Sequence, residues 1–280
     1  MKQLKNIAIA LACIHCMPLT AQTTPKAPAD NHELKTGHLS MRIDADNGAR
    51  IMSFKYDDLE VLSQLDQPNM YGSTFWTSPQ KVWNWPPIQE HDLLKYDVQQ
   101  EGNSIIMTSQ LSEKLPLRIT KHFTTDTQEE CIIITYGIKN EGSTEYQVAP
   151  WEITRVPAEG TITFDAKVED IWPAGLMNFK QNEGLAYFDI DQAEKQRKIN
   201  ANGTGWLRYE HDGLVLTKKF QDLQAGEPAP GEDEIQVYVH QGKAYVELEN
   251  QGTYTLLQPG ESLQWSVRWY LTRKTGITAP

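Results

Sequence analysis

The chain is written largely in period two. Leu39-Ser-Met-Arg-Ile-Asp-Ala45 alternates apolar and polar positions, Arg50-Ile-Met-Ser-Phe-Lys-Tyr56 does so again, and Asp46-Asn-Gly48 between them has the composition of a type I′ turn. Successive side chains of an extended strand point to opposite faces, so the pattern predicts a hairpin with one core face. Similar runs follow at short intervals: 94–99, 104–110, 117–124, 131–140, 147–156, 161–165, 185–189, 206–210, 214–220, 235–240, 244–248, 253–257 and 263–271. Turn residues separate them, among them Glu101-Gly-Asn103, Asn140-Glu-Gly142, Asn202-Gly203, Asp212-Gly213 and Pro259-Gly260. A helical period is suggested only over 191–197, and no unit repeats at a fixed length. The expectation is a long, all-β, antiparallel architecture.

Two segments break the rhythm. Residues 69–87 form a Trp- and Pro-rich stretch that reads as a long connection, and 224–234 form an acidic Pro/Gly loop. Long connections in compact domains are usually functional or mobile. The most informative strands come later. Ile235-Gln-Val-Tyr-Val-His240 and Ala244-Tyr-Val-Glu-Leu-Glu-Asn-Gln251 are joined across Gln241-Gly242. In the second, Tyr245, Glu247 and Glu249 share one face and Val246 and Leu248 the other, which places two carboxylates on a solvent- or pocket-facing side. An ordinary half-exposed strand has the same pattern.

Composition narrows the setting. Met1 to Ala21 begins with Lys2 and Lys5, continues through Ile7-Ala-Ile-Ala-Leu-Ala-Cys-Ile14 and ends on Leu19-Thr-Ala21, the layout of a secretory signal. The apolar run is shorter than the roughly 20 residues of a membrane span. Cys13 sits too early in that run, and without the usual preceding leucine, to favour lipid anchoring. Residues 22–36 read as a flexible polar leader, and 37–280 as one folded domain. Removal of the signal with its two lysines takes the net charge from -11 to -13, which disfavours nucleic acid and anionic membranes. Of three cysteines only Cys131 would remain, so no intramolecular disulfide is expected. The expected product is exported, periplasmic or extracellular, and a monomer or weak homo-oligomer.

Candidate chemistry follows from residue type. Trp76, Trp83 and Trp85 suit stacking on sugar rings, with Gln80 and Asn84 as hydrogen-bond partners for hydroxyls; equally, they could pin a long loop to the fold. Glu152, in Pro150-Trp-Glu-Ile-Thr-Arg155, is a carboxylate with apolar neighbours, suited to acid catalysis or to an ion pair with Arg155. His240 follows Tyr238 on one strand face. His91, His122, His211 and His240 lack ligand spacing, so zinc is not expected. No cofactor is called for. The Glu227 to Glu234 loop has the composition to hold calcium, although a solvated acidic turn accounts for it more simply. Nucleophile elbows, phosphate loops and dinucleotide fingerprints are absent.

Taken together, the motifs resemble a family. Asn47-Gly-Ala-Arg-Ile-Met-Ser-Phe54 followed by Leu59-Glu-Val-Leu62 is similar to the N-terminal hairpin of galactose-mutarotase-like proteins. Gln236-Val-Tyr238 and Val246-Glu-Leu-Glu-Asn-Gln251 resemble their late catalytic segment, and 69–87, 150–155 and 260–270 resemble an exported bacterial branch of that superfamily. The resemblance implies a large antiparallel β-sandwich, a small sugar or oligosaccharide as partner, and aldose 1-epimerase chemistry with Glu249 as base. The family's acid is a histidine, and Glu152 stands where it is expected; Glu152 or His240 would then be the acid. Asn69, Trp76, Gln80, Trp83, Trp85, Trp151, Arg155 and Tyr238 would line the sugar groove. The alternatives are a non-catalytic glycan-binding protein in the same groove, and a glycoside hydrolase or lyase working through a carboxylate pair.

Overall fold

The computed structural model describes residues 31–65, 70–191, 195–240, 242 and 244–274. The signal segment, Cys13, most of the leader and Asn69 lie outside the described residues. In chain order the strands are β1 Asn31–Thr36, β2 Leu39–Asp44, β3 Arg50–Tyr56, β4 Leu59–Glu60, β5 Ser73–Ser78, β6 Asp97–Glu101 and β7 Ser104–Thr108. They continue with β8 Leu117–Asp126, β9 Cys131–Asn140, β10 Tyr146–Val156, β11 Thr161–Phe164, β12 Lys180–Asn182, β13 Leu185–Asp189 and β14 Arg197–Ala201. The last are β15 Trp206–His211, β16 Leu214–Lys219, β17 Ile235–Val239, β18 Val246–Gln251, β19 Thr255–Leu257 and β20 Ser262–Arg273. Among the described residues the one α-helix is the short α1, Gln89–Asp92, which follows β5.

The strands form two antiparallel sheets of ten. One runs β1-β2-β3-β5-β10-β18-β17-β14, with β4 beside β3 and β19 beside β10; the other runs β12-β13-β11-β15-β16-β20-β9-β8-β7-β6. Their inner faces share a continuous apolar core, as the β-sandwich expectation requires. Phe75 of β5 stacks on Tyr136 of β9 with centroids 4.3 Å apart, and Phe54 of β3 meets Trp269 of β20 edge-on at 5.4 Å.

The structure corrects three sequence expectations. Residues 31–36 are strand β1, paired with β2 from Asn31↔Asp44 to Thr36↔Leu39, and are not leader. Leu34 and Thr36 bury one side of that strand, a signal too sparse to register as alternation. The presumed connection 69–87 contains β5, a central strand buried on both faces; a strand covered twice has no polar alternation to display. At 191–197, Arg197 opens β14 instead of closing a helix, and residues 192–194 lie outside the described set.

Strand alternation and register then set up a working surface. Glu247 and Glu249 of β18 stand opposite Tyr238 and Gln236 of β17 on one side, and opposite Arg155 and Ile153 of β10 on the other. Lys198 of β14 stands opposite Tyr238, and Trp76 of β5 opposite Trp151 of β10. Directly opposed residues in antiparallel strands share a face, so these side chains occupy the outer face of five adjacent strands.

Candidate functional site

That outer face is the floor of a cavity of about 550 Å³, lined by Met70, Trp76, Gln80, Trp85, Trp151, Arg155, Gln196, Lys198, Tyr238, Tyr245, Glu247 and Glu249. Aromatic side chains form its walls. The Trp76 indole is central: Trp151 meets it at 5.4 Å, Trp83 at 5.9 Å and Trp85 at 6.1 Å, all edge-on. Trp76 is itself oriented by Asp92 of α1, whose Oδ1 accepts its Nε1–H at 2.9 Å together with bonds from Thr74 and Arg50. The short helix thus anchors a wall of the cavity.

Glu249 sits on the floor with 1% of its surface exposed. Its Oε2 accepts a hydrogen bond from Trp151 Nε1 at 2.8 Å and another from Lys198 Nζ at 2.8 Å. Burial pushes the Glu249 carboxyl up to about 7; Lys198 opposes this rise and the like charge of Glu247 adds to it. Glu247 is tied to Arg155 at 2.9 Å, and the Arg155 guanidinium lies over the rings of Trp76 and Tyr245. Lys198 Nζ lies 4.5 Å from the Trp151 ring centre. Burial pushes Tyr238 up to about 12 and raises Tyr245, so both hydroxyls remain protonated donors at neutral pH.

Several sequence candidates meet here: Glu249, Trp76, Gln80, Trp85, Trp151, Arg155 and Tyr238. Others do not. Glu152 lies on the opposite face of β10, inside the sandwich, where Lys218 of β16 pairs with it at 2.7 Å and Trp269 and Thr154 donate to it at 3.0 and 3.3 Å. Neighbouring strand residues point in opposite directions, so Trp151 in the cavity commits Glu152 to the core and removes it as the acid facing Glu249. Arg155 accordingly pairs with Glu247 instead of Glu152. Trp83 is buried behind Trp76 and donates to the Thr77 carbonyl at 2.8 Å. His240 is not among the lining residues; its ring packs on Tyr245 at 4.6 Å.

Sequence reasoning missed Lys198, Gln196, Tyr245, Met70 and the cavity role of Glu247. For Glu247 and Tyr245 a signal existed, since both share a strand face with Glu249. Lys198 had none: no strand was expected over β14, and the helical period expected over 191–197 stops one residue short of it. In the 224–234 loop the carboxylates are already engaged: Glu227 accepts from Gln224 N–H, Glu232 from Ser78 and Gln251, and Glu234 from the N–H groups of Gly203, Gly205 and Leu223. Among the described residues one cluster gathers metal-type donors, Asp126, Glu129 and Cys131 within 4.8 Å. Arg268 lies among them, 3.2 Å from Asp126 and 3.4 Å from Glu129, which makes it an ion-pair network. No helix among the described residues is long and apolar enough to cross a membrane.

No protein-family model matches the chain, and no curated protein sequence matches it. Solved structures do match. A putative aldose 1-epimerase from Escherichia coli K12 superposes with a TM-score of 0.59 at 14% identity, covering 88% of this chain and 100% of that one. A galactose mutarotase-like protein from Lactobacillus casei gives 0.60 at 12% identity, over 86% and 100%. A putative mutarotase from Salmonella typhimurium gives 0.52 at 11%, over 87% and 90%. The chain therefore has the galactose mutarotase-like fold. At such identities the likeness extends to fold alone, and the chemistry rests on the site.

Proposed function

We propose that the cavity binds a reducing sugar and that Glu249 and Lys198 together interconvert its anomers, an aldose 1-epimerase-type isomerisation. One observation carries this reading: a carboxylate and an ammonium 2.8 Å apart on the floor of an open, aromatic-walled cavity. In a pyranose the anomeric hydroxyl oxygen and the ring oxygen are bonded to one carbon, about 2.3 Å apart by ordinary covalent geometry. A base and an acid side by side match that spacing.

Glu249 takes the proton of the anomeric hydroxyl. The oxygen lone pair forms the C1=O double bond, the bond from C1 to the ring oxygen breaks, and Lys198 delivers a proton to the departing ring oxygen. Rotation about C1–C2 presents the other carbonyl face. Ring closure then runs the same transfers backwards and restores both groups. A base poised near neutral pH is best matched to such work, and that is where burial places Glu249. Trp76 and Trp151 line the wall beside that ring, and Gln80, Gln196, Arg155 and Tyr238 offer partners for its hydroxyls.

A second reading, glycan binding without catalysis, is favoured by one observation: among the described residues that line the cavity there is no imidazole to match the histidine acid of the resembling family. The hydrolase or lyase reading loses its proposed carboxylate pair, since Glu152 and Glu249 lie on opposite faces of the sheet and cannot flank one bond. The charged, apolar and small-residue start of the chain supports an exported site of action.

The test follows anomer interconversion of freshly dissolved aldoses by NMR. Acceleration by the native protein, reduced about 10³-fold in Glu249→Gln, is expected from removal of a general base. Saturable sugar binding without acceleration of any aldose would establish the binding-only reading instead.

A further inference from the structure

The cavity is larger than one sugar. A hexose displaces on the order of 200 Å³, about six or seven waters at about 30 Å³ each, and the cavity holds about 550 Å³. The surplus has a direction. From Glu249 the wall passes to Trp151, which is bonded to it, then 5.4 Å to Trp76 and a further 6.1 Å to Trp85. A pyranose unit with its linking oxygen advances a glycan by about 5 Å from the same covalent dimensions, close to one of these ring-to-ring steps, and Trp85 is the lining tryptophan two such steps removed from the one bonded to Glu249.

Trp85 is also unlike the other tryptophans of this cluster. It is 67% exposed, whereas Trp76, Trp83 and Trp151 are each 8% exposed or less. Asn84, at φ 57°, turns the chain so that Trp83 enters the core and Trp85 faces outward. Pro86 and Pro87 follow and restrict the backbone behind it. A large apolar ring held at the rim of a polar-floored cavity makes a platform for the C–H face of a further sugar.

We infer that the site takes the reducing end of a disaccharide or longer oligosaccharide, with the second ring stacked on Trp85. This rests on the sugar-binding reading and specifies its substrate class: the terminal ring lies over Glu249 and Lys198, and the glycan leaves past Trp85.

Isothermal titration of the full protein with glucose, galactose, mannose and xylose, and with maltose, cellobiose, lactose and gentiobiose, tests it. At least one disaccharide should bind about tenfold more tightly than the monosaccharide at its own reducing end. Trp85→Ala should cut that disaccharide-to-monosaccharide ratio at least fivefold, and Val82→Ala, an exposed neighbour outside the cavity lining, should leave the ratio as it is. Monosaccharide binding with no gain from a second ring, or a gain that survives Trp85→Ala, would overturn the inference and leave the sugar-binding reading standing. Failure of all eight sugars to bind would overturn both.

Discussion

Glu152 and Glu249 lie on neighbouring strands of one sheet, each paired with a lysine, and the two pairs behave as opposites. Glu152 and Lys218 are 2.7 Å apart with both side chains fully buried between the sheets. Glu249 and Lys198 are 2.8 Å apart, but the Lys198 side chain is 35% exposed and the pair opens into the cavity. Inside the sandwich the Glu152 carboxylate is surrounded by fixed donors from Lys218, Trp269 and Thr154, and no substrate can reach it. On the outer face the same two residue types face a space large enough for a ligand. Access separates a structural ion pair from a chemical one, and the pairing itself is silent on the matter.

Substitutions that treat the pairs alike should expose the difference. The largest effect is expected from Lys218→Met, which strands a buried carboxylate and should cost about 3–5 kcal/mol. In a chain of this size that corresponds to a fall in Tm of roughly 6–20 °C, read by thermal unfolding. Unchanged stability would show that the inner pair is not a closed unit.

Lys198→Met should do the reverse. Stability should fall by less than in Lys218→Met, because the Lys198 side chain is 35% exposed and Glu249 keeps its bond from Trp151, while anomer interconversion slows by about 10²-fold through loss of the acid. The Lys198 ammonium also holds Glu249 below the value that burial alone would set. Its removal should therefore shift the acid limb of the rate profile to higher pH.

The native protein's pH dependence is the next smaller effect. Only the ionised Glu249 serves as base, so kcat/KM should rise about tenfold per pH unit below about 7 and level off above it. The stability contribution of the same group runs the other way. Its folded pKa lies above the ordinary 4.5, so its contribution is complete below 4.5 and is lost as pH rises through about 7. A rate profile flat across neutral pH would mean that Glu249 is not the base.

The smallest change is expected when both members of the inner pair go. Lys218→Met combined with Glu152→Leu should recover more than half the stability lost in the single variant, because no charge is left unpaired. Donors on Trp269 and Thr154 would still lack their acceptor, so recovery stays incomplete. A double variant as unstable as the single one would show that those donors, and not the charge, dominate.

Period two alone determined much of this protein. The β2–β3 hairpin, the antiparallel class and the common face of Glu247 and Glu249 follow from alternation, because it records which side of a strand is covered. The Trp-rich stretch stood out by composition, and Trp76 and Trp85 do line the cavity. Tertiary structure decided what alternation cannot encode. Strand β5 is covered on both faces and so lacked the signal of a strand. Glu152 and Glu249 are both carboxylates on β-strands with apolar neighbours, and their fates diverge only through which sheet face the second sheet covers. The partner of Glu249 comes from β14, two strands away in the sheet and 51 residues earlier in the chain. Strand order is set by packing of the whole sandwich, so no local pattern could have named Lys198.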